Sequence, residues 1–99
     1  MNININQDGE KTVVGLSGRL DAIASPRLQE KLIPLFNDSE HVELDFAELI
    51  YVSSAGLRVL LMGEKTAKQR SSKQTVVNVS PEIMEVFEMT GFSNVLNIL

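Results

Sequence analysis

The run His41–Met62, HVELDFAELIYVSSAGLRVLLM, constrains the fold more than any other stretch of the chain, because its hydrophobic period changes partway along. Val42, Leu44 and Phe46 alternate with Glu43, Asp45 and Ala47, the two-residue repeat of a strand with one packed face and one wet face. From Leu57 onward, Leu57, Leu60 and Leu61 recur at helical spacing. A short polar connection therefore joins a strand to a helix, and Ser53-Ser54-Ala55-Gly56 sits at the handover. Helix starts leave backbone N–H groups without partners, so this junction is the place to look for chemistry.

The flanking segments supply the rest of an α/β pattern. Ile3 and Ile5 alternate with asparagines, Asp8-Gly9 offers a hairpin turn, and Thr12, Val14 and Leu16 resume the alternation. Gly15 and Gly18 weaken that second strand and mark a bulge or a close backbone approach. Ser25-Pro26 reads as a helix start with Ser25 as the cap, followed by an apolar face of Leu28, Leu32, Leu35 and Phe36. Pro34 removes the bond to the Glu30 carbonyl, so this helix should kink or stop near Ile33. Gln74–Val79 reads as a strand with Thr75, Val77 and Val79 on one face. Ser80-Pro81 opens a last helix carrying Ile83, Val86, Phe87 and Thr90, Gly91 fits its left-handed stop, and Val95–Leu99 closes the chain as a short strand or apolar tail.

The order β-β-α-β-α-β-α-β predicts one α/β domain over residues 1–99, a small sandwich with a mixed sheet and helices mainly on one face. The 99 residues leave no room for a second domain. The absence of cysteine excludes a disulfide framework and a thiol nucleophile. No apolar run approaches the ~20 residues of a membrane span, and the start MNININQDGE has no signal-peptide character, so direct membrane insertion is not expected and a cytoplasmic location is. A net charge of −4 argues against nucleic acid as partner. The cations Lys65, Lys68, Arg70 and Lys73 gather where they face the negative end of a helix dipole.

Catalysis by this chain is not expected. A nucleophile elbow, G-x-S-x-G, would need glycine where Val52 stands. The single histidine, His41, begins the strand whose far end leads to the serines, and five strand steps already span ~17 Å, against ~3 Å for a working base. No HExxH, CxxC, EF-hand loop or GxxxxGK[ST] occurs, so no metal or cofactor is expected. Two readings of the serines stay open on the residues alone. Ser53 can simply cap the helix, or Ser54, as its first residue, can accept phosphate at the positive end of the dipole. Gly56, costly in a first helical turn, fits either tight packing on the sheet or the approach of another backbone.

Three pieces of the chain resemble the STAS domain of sulphate transporters and anti-sigma factor antagonists. They are Gly18-Arg19-Leu20-Asp21-Ala22 with the Ser25-Pro26 helix, Leu44-Asp45-Phe46 leading to Tyr51-Val52-Ser53-Ser54-Ala55-Gly56-Leu57, and Asn78-Val79-Ser80-Pro81 before a helix ending Thr90-Gly91-Phe92. The resemblance implies an antagonist in a partner-switching pathway. Unphosphorylated, it would bind an anti-sigma factor that is itself a serine kinase of the histidine-kinase-like ATPase fold. Phosphorylation would end that interaction, and a PP2C-type phosphatase would restore it. Alignment on Gly56-Leu57 implies Ser54 as the phosphoacceptor, Ser53 as a second candidate, and a partner surface of Asp21, Ser53, Ser54, Ala55, Gly56 and Arg58. The chain departs from the family motif D-S-x-G-L at Ser53, where the aspartate belongs. Relatives lacking a phosphosite imply one alternative, an accessory subunit of an ATP-driven, phospholipid-type transporter; a third class in the family, a small-ligand or nucleotide-binding module, has no sequence feature of its own here.

Overall fold

The computed structural model describes residues 1–99. Strands β1 (Asn2–Asp8) and β2 (Lys11–Leu20) form an antiparallel hairpin. The pair Asp8↔Lys11 closes it, so the two turn residues are Gly9-Glu10, one step beyond the predicted Asp8-Gly9, with Gly9 at a φ of 66°. Helix α1 (Ala24–Leu32), β3 (His41–Val52), helix α2 (Ser54–Gln69), β4 (Lys73–Val77) and helix α3 (Pro81–Thr90) follow. The sheet order is β1-β2-β3-β4, with β2, β3 and β4 mutually parallel. The predicted fifth strand shrinks to a single parallel bridge, Val76↔Ile98, through which the tail lies against β4.

One core holds the layers together. Val14, Leu16 and Leu20 of β2, and Val42, Leu44 and Phe46 of β3, meet Leu28 and Leu32 of α1, Leu60 of α2, and Ile83 and Phe87 of α3. Phe46 and Phe87 face each other at 6.3 Å between ring centroids. The same sheet face thus serves all three helices, as the alternating strands predict. On β4, Thr75 and Val77 share a face, but the helix side takes Gln74 and Val76, and Val79 lies beyond the strand end. Gln74 faces inward because its Nε2 donates to the Leu60 carbonyl at 3.0 Å. The last helix follows its pattern closely, with Ser80 accepting from the Ile83 N–H and Gly91 left-handed at φ 81°. As predicted, α1 stops at Leu32 and the chain passes through a 3-10 turn, Ile33–Asn37, that contains Pro34.

The start of α1 differs from expectation. Ser25 lies inside the helix, buried, with its hydroxyl donating back to the Asp21 carbonyl at 2.6 Å. The free N–H groups of Ile23 and Ala24 are instead taken by Asp21 Oδ1 at 3.1 and 2.9 Å. A carboxylate four residues earlier outcompetes the serine because it is a stronger acceptor and carries charge complementary to the helix start.

Strand β3 also runs further than its alternation suggests. The expected polar connection after Phe46 is strand as far as Val52, and only Ser53 separates it from α2. Two register shifts against β2 explain this: Gly15↔Asp45 is followed by Ser17↔Glu48, and Gly18↔Leu49 by Arg19↔Tyr51. Each inserts one extra residue into β3, so the buried series steps by two through Val42, Leu44 and Phe46, then by three to Leu49 and Val52. Gly18, at φ 95°, stands on the β2 side of the second shift, in a conformation open to glycine.

At the opposite end of β3, His41 lies level with Lys11 and Lys73 and pairs through Nε2 with Thr75 Oγ1 at 2.7 Å. Partial burial, then the Lys73 ammonium, with Lys11 adding and Glu43 opposing, holds its pKa below the usual 6.5. The unfolded chain therefore binds the proton more readily than the folded one. Stability from this group is complete above about pH 6.5 and is lost as pH falls through the lowered value. Thermal melts across that window should show Tm falling with acidification, and His41→Gln should flatten that part of the slope.

Candidate partner-binding site

Ser53 and Ser54 follow the last residue of β3, and the two serines divide the work. Ser53 is extended, at φ −87° and ψ 171°, and caps α2: its Oγ accepts from the Gly56 N–H at 3.1 Å. The same hydroxyl donates to the Leu20 carbonyl at 3.0 Å, and the Ser53 N–H bonds that carbonyl at 2.9 Å. Both of its hydrogen-bonding functions are thus occupied within the chain. Ser54, the first residue of α2, is exposed and makes no side-chain bond. Its backbone N–H and that of Ala55 belong to the first turn, which an α-helix cannot bond internally. An anion on the Ser54 hydroxyl would meet those groups and the positive end of a 16-residue helix.

Gly56 is buried against Leu20. A Cβ there would stand 2.8 and 2.9 Å from Leu20 Cγ and Cδ2 and 3.1 Å from the Leu20 carbonyl oxygen. The backbone that needs Gly56 to be small is this chain's own strand β2. Leu20 is thus the hub of the junction, a role its place in the apolar pattern does not reveal.

Asp21, next in sequence to Leu20, stands beside this junction. The bond from the Ala24 N–H, opposed by desolvation and supported by the bond from the Ile23 N–H and by the charges of the N-terminal amine and Arg19, holds its pKa below the ordinary value of 3.8. The folded chain releases this proton more readily than the unfolded one, so the contribution is present above 3.8 and lost as pH falls through the lowered value. Asp21→Ala should lower Tm at neutral pH and remove this acid-dependent loss, while Asp21→Asn, which keeps an acceptor oxygen, should lower Tm less.

The predicted residues converge. Ala22 of the β2–α1 turn shares one cleft with Ala55 and Arg58 of α2, and Arg58 is exposed one turn beyond Ser54. His41 is at the other end of β3, paired to Thr75, so no histidine meets either serine. Two apolar side chains are exposed in a way the sequence pattern does not flag: Ile23 is 83% exposed in the β2–α1 turn and Ile50 69% near the end of β3. Ile23 lies off the Leu28–Leu32 stripe, the one signal that could have found it. Arg19 lies 4.2 Å over the Tyr51 ring on the neighbouring strand.

The family profile described as "Mlab, STAS domain" matches residues 3–98. The chain belongs to the STAS domain family. The anti-sigma-B factor antagonist of Bacillus subtilis is 26% identical over 98 residues, covering 99% of this chain and 90% of that protein. The structure of the anti-sigma factor antagonist SpoIIAA in its unphosphorylated form superposes with a TM-score of 0.84 at 19% identity, covering 99% and 88% of the two chains. The phosphorylated form of SpoIIAA, a Bacillus cell fate determinant, gives 0.78 at 19% identity over 99% and 91%. These structural likenesses are likenesses of fold. In this STAS domain Ser54 is exposed at the start of α2, Arg58 is exposed one turn further along, and Asp21 lies in the turn that follows β2.

Proposed function

We propose that this STAS domain is an anti-sigma factor antagonist that works by partner switching in the cytoplasm. Unphosphorylated, it binds an anti-sigma serine kinase of the histidine-kinase-like ATPase fold through Asp21, Ser53, Ser54, Ala55, Gly56 and Arg58. Phosphorylation of Ser54 releases it. The observation that carries this reading is the division of labour at the junction: Ser53 is consumed by capping, while the Ser54 hydroxyl is free and exposed at the helix start. The names of the relatives support it, since they are anti-sigma factor antagonists and SpoIIAA occurs in both phosphorylation states.

In the kinase reaction the Ser54 Oγ–P bond forms, the bond between the β,γ-bridging oxygen and the γ-phosphorus of ATP breaks, ADP leaves and the hydroxyl proton passes to a base of the kinase. The chain is the substrate, and its contribution is presentation. A PP2C-type phosphatase hydrolyses the ester and returns the hydroxyl. The product adds about −1.5 to −2 charges at a helix end that accepts them, so the fold survives while the surface becomes strongly negative. Incubation with ATP and a cognate anti-sigma kinase, recovered by affinity purification on this chain, should place one phosphate on Ser54 by mass spectrometry and none on Ser53. Phosphate on Ser53, or none at all, would overturn the assignment.

A second reading is favoured by Ser53 itself: no carboxylate stands before the acceptor, and an accessory subunit of an ATP-driven, phospholipid-type transporter needs no phosphosite. Affinity purification recovering an ATPase or permease in place of a kinase would select it.

A further inference from the structure

The two edges of the sheet differ. Along β4 lies the tail, with the Val76 N–H donating to the Asn97 carbonyl and the Leu99 N–H to the Val76 carbonyl, both at 2.9 Å. Along β1 no strand follows. An edge strand turns half of its backbone N–H and C=O groups outward, and natural sheets guard such edges with lysine, proline, a bulge or an inward charge. Asn2–Gln7 has none of these devices: six uncharged residues pair with β2 in unbroken register.

The side chains of β1 are self-complementary. Asn2-Ile3-Asn4-Ile5-Asn6 reads the same in both directions. Laid antiparallel on a second copy about a two-fold axis through Asn4, the strand sets Asn4 opposite Asn4, Ile3 opposite Ile5 and Asn2 opposite Asn6. Ile3 and Ile5 belong to the helix side of the sheet, since their β2 partners are the buried Leu16 and Val14, yet Ile5 is 42% exposed. The isoleucines of two copies would form one apolar patch on that face, whereas a slip by one residue would set isoleucine against asparagine. Asparagine is a poor strand former, and Asn2, Asn4 and Asn6 are all exposed, so the single chain gains little from them. Across the axis, two Asn4 carboxamides offer each other a donor and an acceptor. Charge agrees: the facing stretches carry none, and the Asp8 carboxylates of the two copies fall at opposite ends of the ladder, roughly 27 Å apart.

We propose that β1 is a self-association edge, through which two copies pair over Asn2–Asn6 in this register and join their four-stranded sheets into one continuous sheet. This contact does not depend on partner switching. Because the pairing is antiparallel, the two Ser54 junctions lie at opposite ends of the joined sheet, with β2 between each junction and the contact.

The test is sedimentation equilibrium of the full chain over roughly 1 µM to 1 mM, the span in which a small interface populates. Wild type should dimerise. Asn4→Lys and Asn4→Asp, each placing like charges across the axis, should each raise the dimer Kd at least about tenfold, and an equimolar mixture of the two should recover a heterodimer. Met89→Lys, at a residue 79% exposed on α3, should dimerise like wild type, and circular dichroism melts verify the fold of each variant. The chain has no cysteine, so oxidation of single-cysteine variants reads the register without adding charge. Asn4→Cys should cross-link at least about tenfold faster than Asn6→Cys, whose two thiols would stand four residues apart along the ladder, too far for a disulfide. A wild type that stays monomeric throughout would overturn the proposal. A dimer that both charge variants leave intact, or equal cross-linking at positions 4 and 6, would place self-association on another surface and overturn it as well.

Discussion

Ser54→Asp should abolish measurable binding to the anti-sigma kinase, a loss of at least about a hundredfold, while leaving the protein as stable as wild type or slightly more so. Two like charges 4 Å apart at an effective dielectric of 20 repel by about 4 kcal/mol, roughly a thousandfold in Kd, and part of that suffices. The stability effect has the opposite sign. A carboxylate in the first turn of α2 faces the free N–H groups and the positive helix end, an interaction of about 0.3–1 kcal/mol. Because Ser54 is exposed and makes no side-chain bond, nothing internal is lost on replacing it. Calorimetric titration and denaturant unfolding of the same preparation separate the two effects. Binding equal to wild type would refute the switch, and a destabilised Ser54→Asp would refute the account of the helix end.

The second large effect is expected at Gly56. Gly→Ala in a helix ordinarily stabilises by up to about 1 kcal/mol. Here the added methyl would sit 2.8 Å from Leu20 Cγ and 3.1 Å from the Leu20 carbonyl oxygen. That carbonyl is backbone and is already held by two bonds from Ser53, so it cannot retreat freely. The helix start must lift instead, and overpacking of this kind costs about 1–3 kcal/mol. Gly56→Ala should therefore lower unfolding stability by a net amount of about 1–2 kcal/mol. Shortening the neighbour tests the cause. Leu20→Ala is costly alone, but combined with Gly56→Ala it should cost less than the sum of the two, because the Cγ and Cδ2 contacts disappear while the carbonyl contact remains. Strict additivity would show that Gly56 is required for another reason.

How far the sequence foretold this structure depends on whether a signal is local. The last helix was legible in full because Ser80, Pro81 and Gly91 each act within a few residues of themselves. The stop at Leu32 follows equally from one proline. Serine at position 25 misled because Asp21 competes for the same N–H groups, a contest that spacing alone does not decide. The second half of β3 was hidden because its two extra residues exist only relative to β2, and a bulge is a property of two strands. At the junction, the cap by Ser53 and the exposure of Ser54 follow from the strand-to-helix pattern. The role of Leu20 and the cleft shared by Ala22, Ala55 and Arg58 do not, since both arise where segments about 30 or more residues apart come together.

That last dependence bears on when the protein can signal at all. The Leu20 carbonyl receives both the N–H and the hydroxyl of Ser53, 33 residues further along the chain, and so ties the acceptor loop to a strand made much earlier. Before β2 and β3 pair, Ser53 has no anchor and Ser54 is one more serine in a flexible stretch. Under the proposed partner switching, a kinase that reads the folded junction would pass over nascent and damaged copies, and only molecules with β2 and β3 paired would be counted.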